Sequence, residues 1–234
     1  LNDTRIYNMT ENNTSCSQTH CLYIENATKR VFSYMKQKKV KLLGQLVRDE
    51  ASLQHHSAPV EGIPEKVKQV SAGGDKDAGH SAALTELGNV YVWGCDRWQQ
   101  LGLGSADAGG VGYTWEGGRL WQDTPQRAWV KNIKHIACGS DHTVALSKDG
   151  STVYTWGRGE HGQLGRKHKL FVGAPAPSPI LSAQSGSQNV EFVLAVGNCS
   201  ASCAKDGSII AKAGKCKGII NKAFNAAIIS NKKV

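Results

Sequence analysis

Short apolar runs, each followed by a glycine turn and then a β-branched or aromatic run, recur along the chain. In residues 143–156, positions 144–146 are apolar, Gly150 closes a turn, and positions 152–156 are Thr, Val, Tyr, Thr and Trp. Such side chains fit the pleated surface of a strand, and glycine adopts the positive φ that tight hairpin turns need. Residues 81–93 have the same pattern. We therefore predict antiparallel hairpins at 81–93 and 143–156.

The apolar positions of the two predicted hairpins should face a core. Upstream of the second hairpin, Ile133, Ile136 and Ala137 alternate roughly as one more strand. Three or four short antiparallel strands in succession are typical of one blade of a β-propeller. The side chains that we expect to be buried are Leu84, Val92, Val144, Leu146 and Trp156.

The hairpin pattern occurs four times. His20, His80, His142 and Cys199 occupy equivalent positions, 60, 62 and 57 residues apart. A period this constant predicts an array of similar units within a single repeat domain. The units are a degenerate repeat at 6–46, repeats at 67–104 and 131–165, and a degenerate repeat at 189–216, followed by a basic C-terminal tail at 217–234.

Three short motifs define the repeat: Gly-x-x-His-[Ser/Thr]-x-x-Leu, Trp-Gly and Gly-Gln-Leu-Gly. In the third unit they occupy residues 139–146, 156–157 and 162–165. This series resembles the regulator of chromosome condensation repeat family, and the resemblance implies a seven-bladed β-propeller. The match is strong at 67–104 and 131–165, and the weaker units extend it over most of the chain.

The first and last units depart from the family pattern. Tyr34-Met35 replaces Trp-Gly in the first unit, and in the last unit Cys199 replaces His while Ala213-Gly214 replaces Trp-Gly. Four repeats do not make a seven-bladed ring, so we expect an all-β fold with an incomplete propeller. The chain would be part of a longer protein, an open arc or a small reduced ring. In an open arc, a partner's surface would cover the exposed strand edges.

Basic charge is concentrated at the two ends of the array. Lys plus Arg number 28 against 19 for Asp plus Glu, which gives a net charge of +9. Residues 29–48 hold seven basic residues and no acidic one, and residues 205–234 hold seven Lys and one Asp, so the two segments together carry +13. This charge favours an acidic partner such as RNA, DNA or an acidic protein face. No apolar run is long enough to span a membrane, and no membrane partner is expected.

The predicted partner-binding residues lie in the basic segments and in a glycine-rich linker. In the linker, Trp115 and Trp121 either cover the edges of blades or anchor a partner as exposed aromatic side chains. Lysine heads are flexible point charges, so their contact should tolerate varied geometry and weaken with salt. The lysines are Lys36, Lys38, Lys39, Lys41, Lys212, Lys215 and Lys217.

No catalytic, cofactor or metal site is predicted. His80 and His142 are interpreted as structural, each bonding across its own blade. Ser140-Asp141-His142 has the residue types of a triad, but neighbours in an extended chain point to opposite faces. Residues 157–162 read Gly-x-Gly-x-x-Gly, yet Gln-Leu-Gly follows where a dinucleotide site needs a helix. The cysteines and histidines lack the paired spacing of a zinc site.

These features predict a non-enzymatic propeller-type protein-interaction module. It would be a structural subunit of a larger assembly, for which a ribonucleoprotein and an organellar complex are the candidates. Two alternatives stay open. One is a guanine nucleotide exchange factor for a small GTPase, which the resemblance implies without any catalytic residue being transferred. The other is a chromatin- or nucleic-acid-binding module.

The cysteine content bears on the compartment. Seven cysteines, an odd number without framework spacing, indicate reduced thiols and therefore an intracellular protein. We expect the nucleus or cytoplasm, with the mitochondrion or another organelle as the alternative. The chain begins at Leu1. It is therefore interpreted as a fragment or as a mature form whose targeting peptide has been removed.

Overall fold

The computed structural model of the chain describes residues 14–35, 58–75, 78–104, 113–116, 119–167, 170–183 and 189–216. Within these ranges the chain forms sixteen β-strands, paired antiparallel in four sheets. The described residues contain no helix, and so none that is long and apolar enough to cross a membrane. The predicted all-β fold built from propeller-type blades is confirmed.

Each sheet is one blade, and the blades follow one another along the chain. Blade 1 contains β1 (Thr14–Cys16), β2 (His20–Ile24), β3 (Val31–Met35) and β4 (Ala58–Pro59). Blade 2 contains β5 (Val67–Gly74), β6 (Gly79–Thr85), β7 (Val90–Cys95), β8 (Tyr113–Glu116) and β9 (Arg119–Arg127), in the order β5-β6-β7-β9-β8. Blade 3 contains β10 (Ile133–Cys138), β11 (His142–Ser147), β12 (Val153–Arg158) and β13 (Phe171–Pro177). Blade 4 contains β14 (Phe192–Val196), β15 (Cys199–Cys203) and β16 (Ile209–Gly214).

The two hairpins predicted from the sequence are present as β6–β7 and β11–β12. Their turns contain Gly88 and Gly150 with φ of 83° and 76°, a conformation that other residues rarely adopt. The five side chains expected in the core are all fully buried. Local sequence therefore determines the centre of each blade.

The outer strands lie between the predicted repeats, in the stretches 47–66, 105–130 and 166–188. The outer strand of blade 1 is β4, blade 2 ends in the β8–β9 hairpin, and blade 3 ends in β13. Proline and glycine interrupt these segments, as in the Phe-Val-Gly-Ala-Pro-Ala-Pro sequence of β13. Proline is tolerated on an edge strand, where one side of the backbone has no ladder partner, so its presence hid these strands.

The three largest core clusters of the described residues lie between neighbouring blades. Leu84 and Val92 of blade 2 pack with Ile136 and Trp156 of blade 3 in one cluster. Similar clusters join blade 1 to blade 2 and blade 3 to blade 4. Because each blade buries its apolar face against the next blade, its stability depends on that neighbour.

Two pairs of cysteines form disulfides, so the interpretation of all seven cysteines as reduced thiols is wrong. Cys16 and Cys21 face each other on β1 and β2, with 4.1 Å between their Cα atoms. Cys199 is bonded to Cys216, with 5.0 Å between their Cα atoms. The β1–β2 register brings the first pair together, and the second pair is close because Cys216 lies just beyond β16, which pairs with β15. The spacing in the sequence does not reveal either pairing. The remaining described cysteines, Cys95, Cys138 and Cys203, are buried thiols outside these disulfides.

Candidate functional site

The histidines of the repeat motif connect neighbouring blades. His20 begins β2, and its Nε2 lies 2.8 Å from the Ser81 hydroxyl of blade 2. His80 in β6 makes the same contact with Thr143 of blade 3, at 3.0 Å. His142, which begins β11, repeats it with Ser200 of blade 4, at 2.8 Å. One bond is thus used three times along the array, and we call these contacts the histidine bridges.

The structural role predicted for His80 and His142 is confirmed, but the expected bond across the residue's own blade is wrong. Each imidazole lies over a glycine at the end of the first strand of its own blade and points into the next blade. A Cβ at Gly73 would collide with the His80 ring, and a Cβ at Gly139 would collide with the His142 ring. These two glycines therefore leave the space through which each ring reaches its neighbour.

The hydroxyl groups that contact the histidines continue the network. The Thr143 hydroxyl donates to the carbonyl of Gln100, and the Ser200 hydroxyl donates to the carbonyl of Gln163, each over 2.8 Å. Because each hydroxyl donates its single O–H to the carbonyl, it must accept a hydrogen bond from the histidine Nε2–H. The two glutamines belong to the Gln-Leu-Gly loops, so the third motif of the repeat is tied to the first.

Burial keeps His80 and His142 neutral. It lowers the pKa of His142 to about 4 and, together with the charges of His142 and His20, lowers the pKa of His80 to about 3. In the described part of the chain, the Nδ1 atoms of His80 and His142 have no hydrogen-bond partner. A neutral, fully buried imidazole with Nε2 committed to a neighbouring hydroxyl is a packing element and not an acid–base catalyst.

The loops after β7 and β12 share one end of the blades, which we call the loop face. Arg158 carries its main charged cluster: the guanidinium donates to Asp141 over 3.1 Å and to Glu160. The Arg158 Cζ also lies 4.4 Å from the ring centroid of Trp98 in blade 2, and the Arg97 Cζ lies 5.4 Å from that same centroid. Cation–π contacts at exposed sites stabilise by about 0.5–1 kcal/mol each. The cluster thus joins blade 2 to blade 3 at the surface.

A buried carboxylate orders the loop that presents Arg97 and Trp98. Asp96 accepts from the backbone N–H of Leu101 over 2.9 Å and from the Tyr113 hydroxyl over 2.7 Å. Burial raises the pKa of Asp96 to about 6, and the two hydrogen bonds oppose this rise. Tyr113 comes from β8, so the added hairpin of blade 2 holds this part of the loop face.

The side chains of Asp141 and His142 diverge. Asp141 binds Arg158 on the loop face, while His142 points inward to Ser200. Burial raises the pKa of Asp141, and the hydrogen bond from Arg158 opposes the rise. The triad interpretation of residues 140–142 is therefore excluded by geometry. In the described ranges, no group of three or more His, Cys, Asp or Glu residues could hold a metal ion.

Two of the seven predicted contact lysines belong to the described residues, and both are exposed. Lys212 lies on β16, and Lys215 follows that strand. Lys215 is close enough to Glu160 for its charge to help lower the pKa of that carboxyl, after the larger effect of the Arg158 hydrogen bond. The other five, Lys36, Lys38, Lys39, Lys41 and Lys217, lie outside the described residues.

The two linker tryptophans lie on the paired strands β8 and β9. Trp121 is buried in a small cluster with Ala78 and Cys95, a placement that favours the edge-covering role over the exposed anchor. Trp115 lies opposite Leu120 in the ladder. The sequence reasoning did not single out the exposed Trp129, whose only signal was a tryptophan outside the Trp-Gly motif.

Comparison with known proteins identifies the repeats. Family models described as the regulator of chromosome condensation (RCC1) repeat match residues 88–146, 151–203 and 133–163. These ranges contain blade 3 and parts of blades 2 and 4.

Curated relatives share the repeats over part of their length. The chain is 37% identical over 127 residues to the X-linked retinitis pigmentosa GTPase regulator of Mus musculus, covering 51% of this chain and 11% of that protein. It is 40% identical over 110 residues to the regulator of chromosome condensation of Mus musculus, covering 47% of this chain and 23% of that protein. The chain thus spans at most about a quarter of these relatives.

Solved structures share the fold. Human WBSCR16 superposes with a TM-score of 0.64 at 24% identity, over 84% of this chain and 45% of that one. Yeast Prp20, solved bound to Kap60, superposes with a TM-score of 0.61 at 22% identity, over 84% of this chain and 42% of that one. A second structure, of Prp20p from Saccharomyces cerevisiae, also superposes with a TM-score of 0.61 at 22% identity, over 84% of this chain and 43% of that one. Its description names binding properties to Gsp1p and histones.

Proposed function

Because the chain belongs to the regulator of chromosome condensation (RCC1) repeat family, we propose that it is a non-enzymatic propeller-type interaction module and a structural subunit of a larger assembly. The observation that carries this proposal is the use made of the motif histidines. His20, His80 and His142 are buried and hold neighbouring blades together. These histidines are of a residue type that often serves in catalysis, but here they hold together the blades that form the surface.

We further propose that the basic segments contact an acidic partner, RNA, DNA or an acidic protein face. The exposed positions of Lys212 and Lys215 support this, because lysines at the surface remain available for contact. Phosphate contacts made by lysine carry little sequence information and weaken as salt is raised. The proposed contact set is completed by Lys36, Lys38, Lys39, Lys41 and Lys217.

The experiment replaces Lys38, Lys39, Lys215 and Lys217 with glutamine and measures binding to single-stranded RNA, duplex DNA and nucleosomes over a range of salt. We expect weaker binding and a smaller dependence on salt. The matched control removes the same charge from exposed lysines outside the two basic segments, namely Lys66, Lys68, Lys131 and Lys148. Equal losses of affinity in both variants would show that binding depends on net charge and not on the positions of these lysines. Unchanged affinity and salt dependence would remove the lysines from the site.

Guanine nucleotide exchange is the second candidate function. It is supported by the relative whose name contains GTPase regulator and by the yeast structure described with binding properties to Gsp1p. The test is release of fluorescent GDP from a panel of small GTPases that includes Gsp1p. Release no faster than the spontaneous rate is expected for a non-enzymatic module, and acceleration would replace the first proposal with this one.

The proposed compartment is the nucleus or cytoplasm. Sequence similarity to the regulator of chromosome condensation and the fold shared with Kap60-bound Prp20 support it. The disulfides Cys16–Cys21 and Cys199–Cys216 are unusual in a reducing compartment. Alkylation of the protein at the moment of cell lysis, followed by mass spectrometry, reports whether these thiols are paired in the cell. Cell fractionation tests the location itself.

A further inference from the structure

Exposed bulky apolar residues are concentrated around the outer edge of blade 3. Trp129 and Leu170 are each 68% exposed, Ile180 is 51% exposed and Phe171 is 47% exposed. We call these four residues the blade 3 rim. Among the described residues the other large exposed hydrophobic side chain is Leu87, on the β6–β7 turn and 73% exposed. An apolar patch of this kind on a folded surface marks an interaction site more often than a single scattered residue does.

Backbone contacts bring the rim residues to one edge. The Trp129 ring lies directly over Gly104, where a Cβ would be 3.0 Å from it. The Gly104 N–H donates to the carbonyl of Gly173 in β13 over 2.9 Å. Phe171 is two residues before Gly173, so the two positions face the same side of the strand. At the other end of β13, the Ile180 N–H contacts the carbonyl of Gly165.

The rim is continuous with the charged cluster of the loop face. Phe171 lies opposite Arg158 in the β12–β13 ladder. Directly opposed side chains in an antiparallel pair point to the same face. Arg158 in turn lies over Trp98. Tryptophan, phenylalanine and arginine are residue types that protein interfaces concentrate at their centres.

The outer edge of β13 is unsuited to pairing with another strand. Pro175 and Pro177 lack the N–H groups that a ladder needs, and proline is a common device for blocking edge-to-edge association. A partner would therefore contact this edge through side chains packed against the rim. An amphipathic helical segment, with bulky apolar side chains on one face, fits such a surface.

Charge specifies the partner further. Arg97, Lys131 and Lys167 are exposed and lie within three positions of Trp98, Trp129 and Leu170 in the chain. No salt bridge to any of these three cations occurs within the described ranges. The carboxylates of Asp141 and Glu160 are bonded to Arg158, and the charge of Arg97 acts on Asp141 at longer range. The rim is therefore bordered by exposed positive charge.

We propose that the blade 3 rim binds an acidic amphipathic segment of a protein partner, one that places bulky apolar side chains on the rim and carboxylates beside Arg97, Lys131 and Lys167. The inference rests on the proposed role as an interaction module, and it is independent of the contact lysines. It assigns the module an apolar docking site in addition to its basic segments.

The test uses a fluorescein-labelled 20-residue helical peptide with leucine on one face and glutamate on the others, and it measures binding by fluorescence anisotropy. Trp129→Ser combined with Phe171→Ser should weaken binding by about tenfold or more, because aromatic anchors carry much of an interface's affinity. Lys131→Glu combined with Lys167→Glu should weaken it several-fold and remove its salt dependence. The matched control is Leu87→Ser, which removes an equally exposed apolar side chain elsewhere and should change nothing.

Four results would overturn the proposal: no binding of the acidic peptide, equal binding of the same peptide with lysine in place of glutamate, an equal loss in Leu87→Ser, or unchanged binding in the Trp129/Phe171 variant. Sedimentation of the unmodified chain provides a further arm. If the unmodified chain self-associates and the Trp129/Phe171 variant does not, the rim binds a second copy of this chain. That result would overturn the proposal of a different protein as the partner. The variant lacking Lys38, Lys39, Lys215 and Lys217 separates this proposal from the previous one, since it should keep peptide binding while losing RNA, DNA or nucleosome binding.

Discussion

Blade 3 and blade 4 occupy adjacent places in the array but are stabilised differently. At the start of the second strand, blade 3 has His142, which reaches into blade 4 and contacts Ser200. Blade 4 has Cys199 at that position, and Cys199 forms a disulfide with Cys216 of its own blade. At the Trp-Gly motif, blade 3 has the fully buried Trp156, and blade 4 has Ala213. In blade 4, a disulfide within the blade stands at the position from which blade 3 makes a hydrogen bond to its neighbour.

The difference separates two ways to stabilise a small sheet. A three- or four-stranded sheet cannot bury its apolar face by itself, so an ordinary blade depends on contacts with the next one. A disulfide instead restricts the unfolded chain and needs no neighbour. The four predictions that follow change one of these two stabilising features in each case.

Trp156→Ala gives blade 3 the residue that blade 4 has at Ala213, and it should have the largest effect. Trp156 lies in the core cluster between blades 2 and 3. Removing a buried Trp of this size costs about 3–5 kcal/mol, because the transfer free energy is lost and a cavity remains. Urea denaturation followed by circular dichroism measures the loss. A loss below about 1 kcal/mol would mean that the blade 2–3 core is not the main source of stability.

Cys199→Ser combined with Cys216→Ser removes the covalent support of blade 4. The bond joins residues 17 apart in sequence. Closing a loop of about this size stabilises by about 3 kcal/mol in the chain-entropy account. The Cys16→Ser, Cys21→Ser pair is the control, and it should lose less because its cysteines are 5 apart. The denaturation curve of the unmodified protein recorded with a reductant should show the combined loss of both disulfides, and an insensitive protein would contradict the pairing.

His142→Ala breaks the bridge from blade 3 to blade 4 and should cost about 1–3 kcal/mol, since it leaves the buried Ser200 hydroxyl without its donor. Ser200→Ala should cost a similar amount, and the double variant should cost less than the sum, as expected for partners in one bond. The part-exposed His161 provides the control, His161→Ala, with little change expected. Additive losses would show that the two residues do not act as a pair.

Stability should fall as the pH decreases below about 6.5, by at most about 1.4 kcal/mol per pH unit for each buried histidine. Burial lowers the pKa of His142 to about 4, whereas the unfolded chain has an ordinary histidine pKa near 6.5. Between these values the unfolded state binds a proton that the folded state does not, so protonation favours unfolding. At neutral pH and above, both states are neutral and the full stability is retained. His142→Ala should show a shallower pH dependence between pH 6.5 and 4, and an unchanged slope would contradict the buried neutral state.

The comparison of blades 3 and 4 also shows which features of the candidate site could be predicted from the sequence and which could not. The motif histidines were identified as structural because they recur at one strand position, which is a property of the sequence. Their partners, at separations of 58 to 63 residues, depend on how the blades stack. The burial of Trp121 and the exposure of Trp129 also depend on packing. Both are tryptophans in glycine-rich or polar surroundings, and composition does not distinguish them.

The sequence by itself determined the repeat period, the β6–β7 and β11–β12 hairpins, and the burial of residues such as Trp156. These features follow from turn chemistry and from the alternation of side chains within about fifteen adjacent residues. The tertiary structure decided the direction of the histidine bridges, the pairing of Cys199 with Cys216, and the exposed rim on blade 3. Each of these is set by the surface that a neighbouring strand or blade covers, and that surface is defined only when segments distant in the chain pack together.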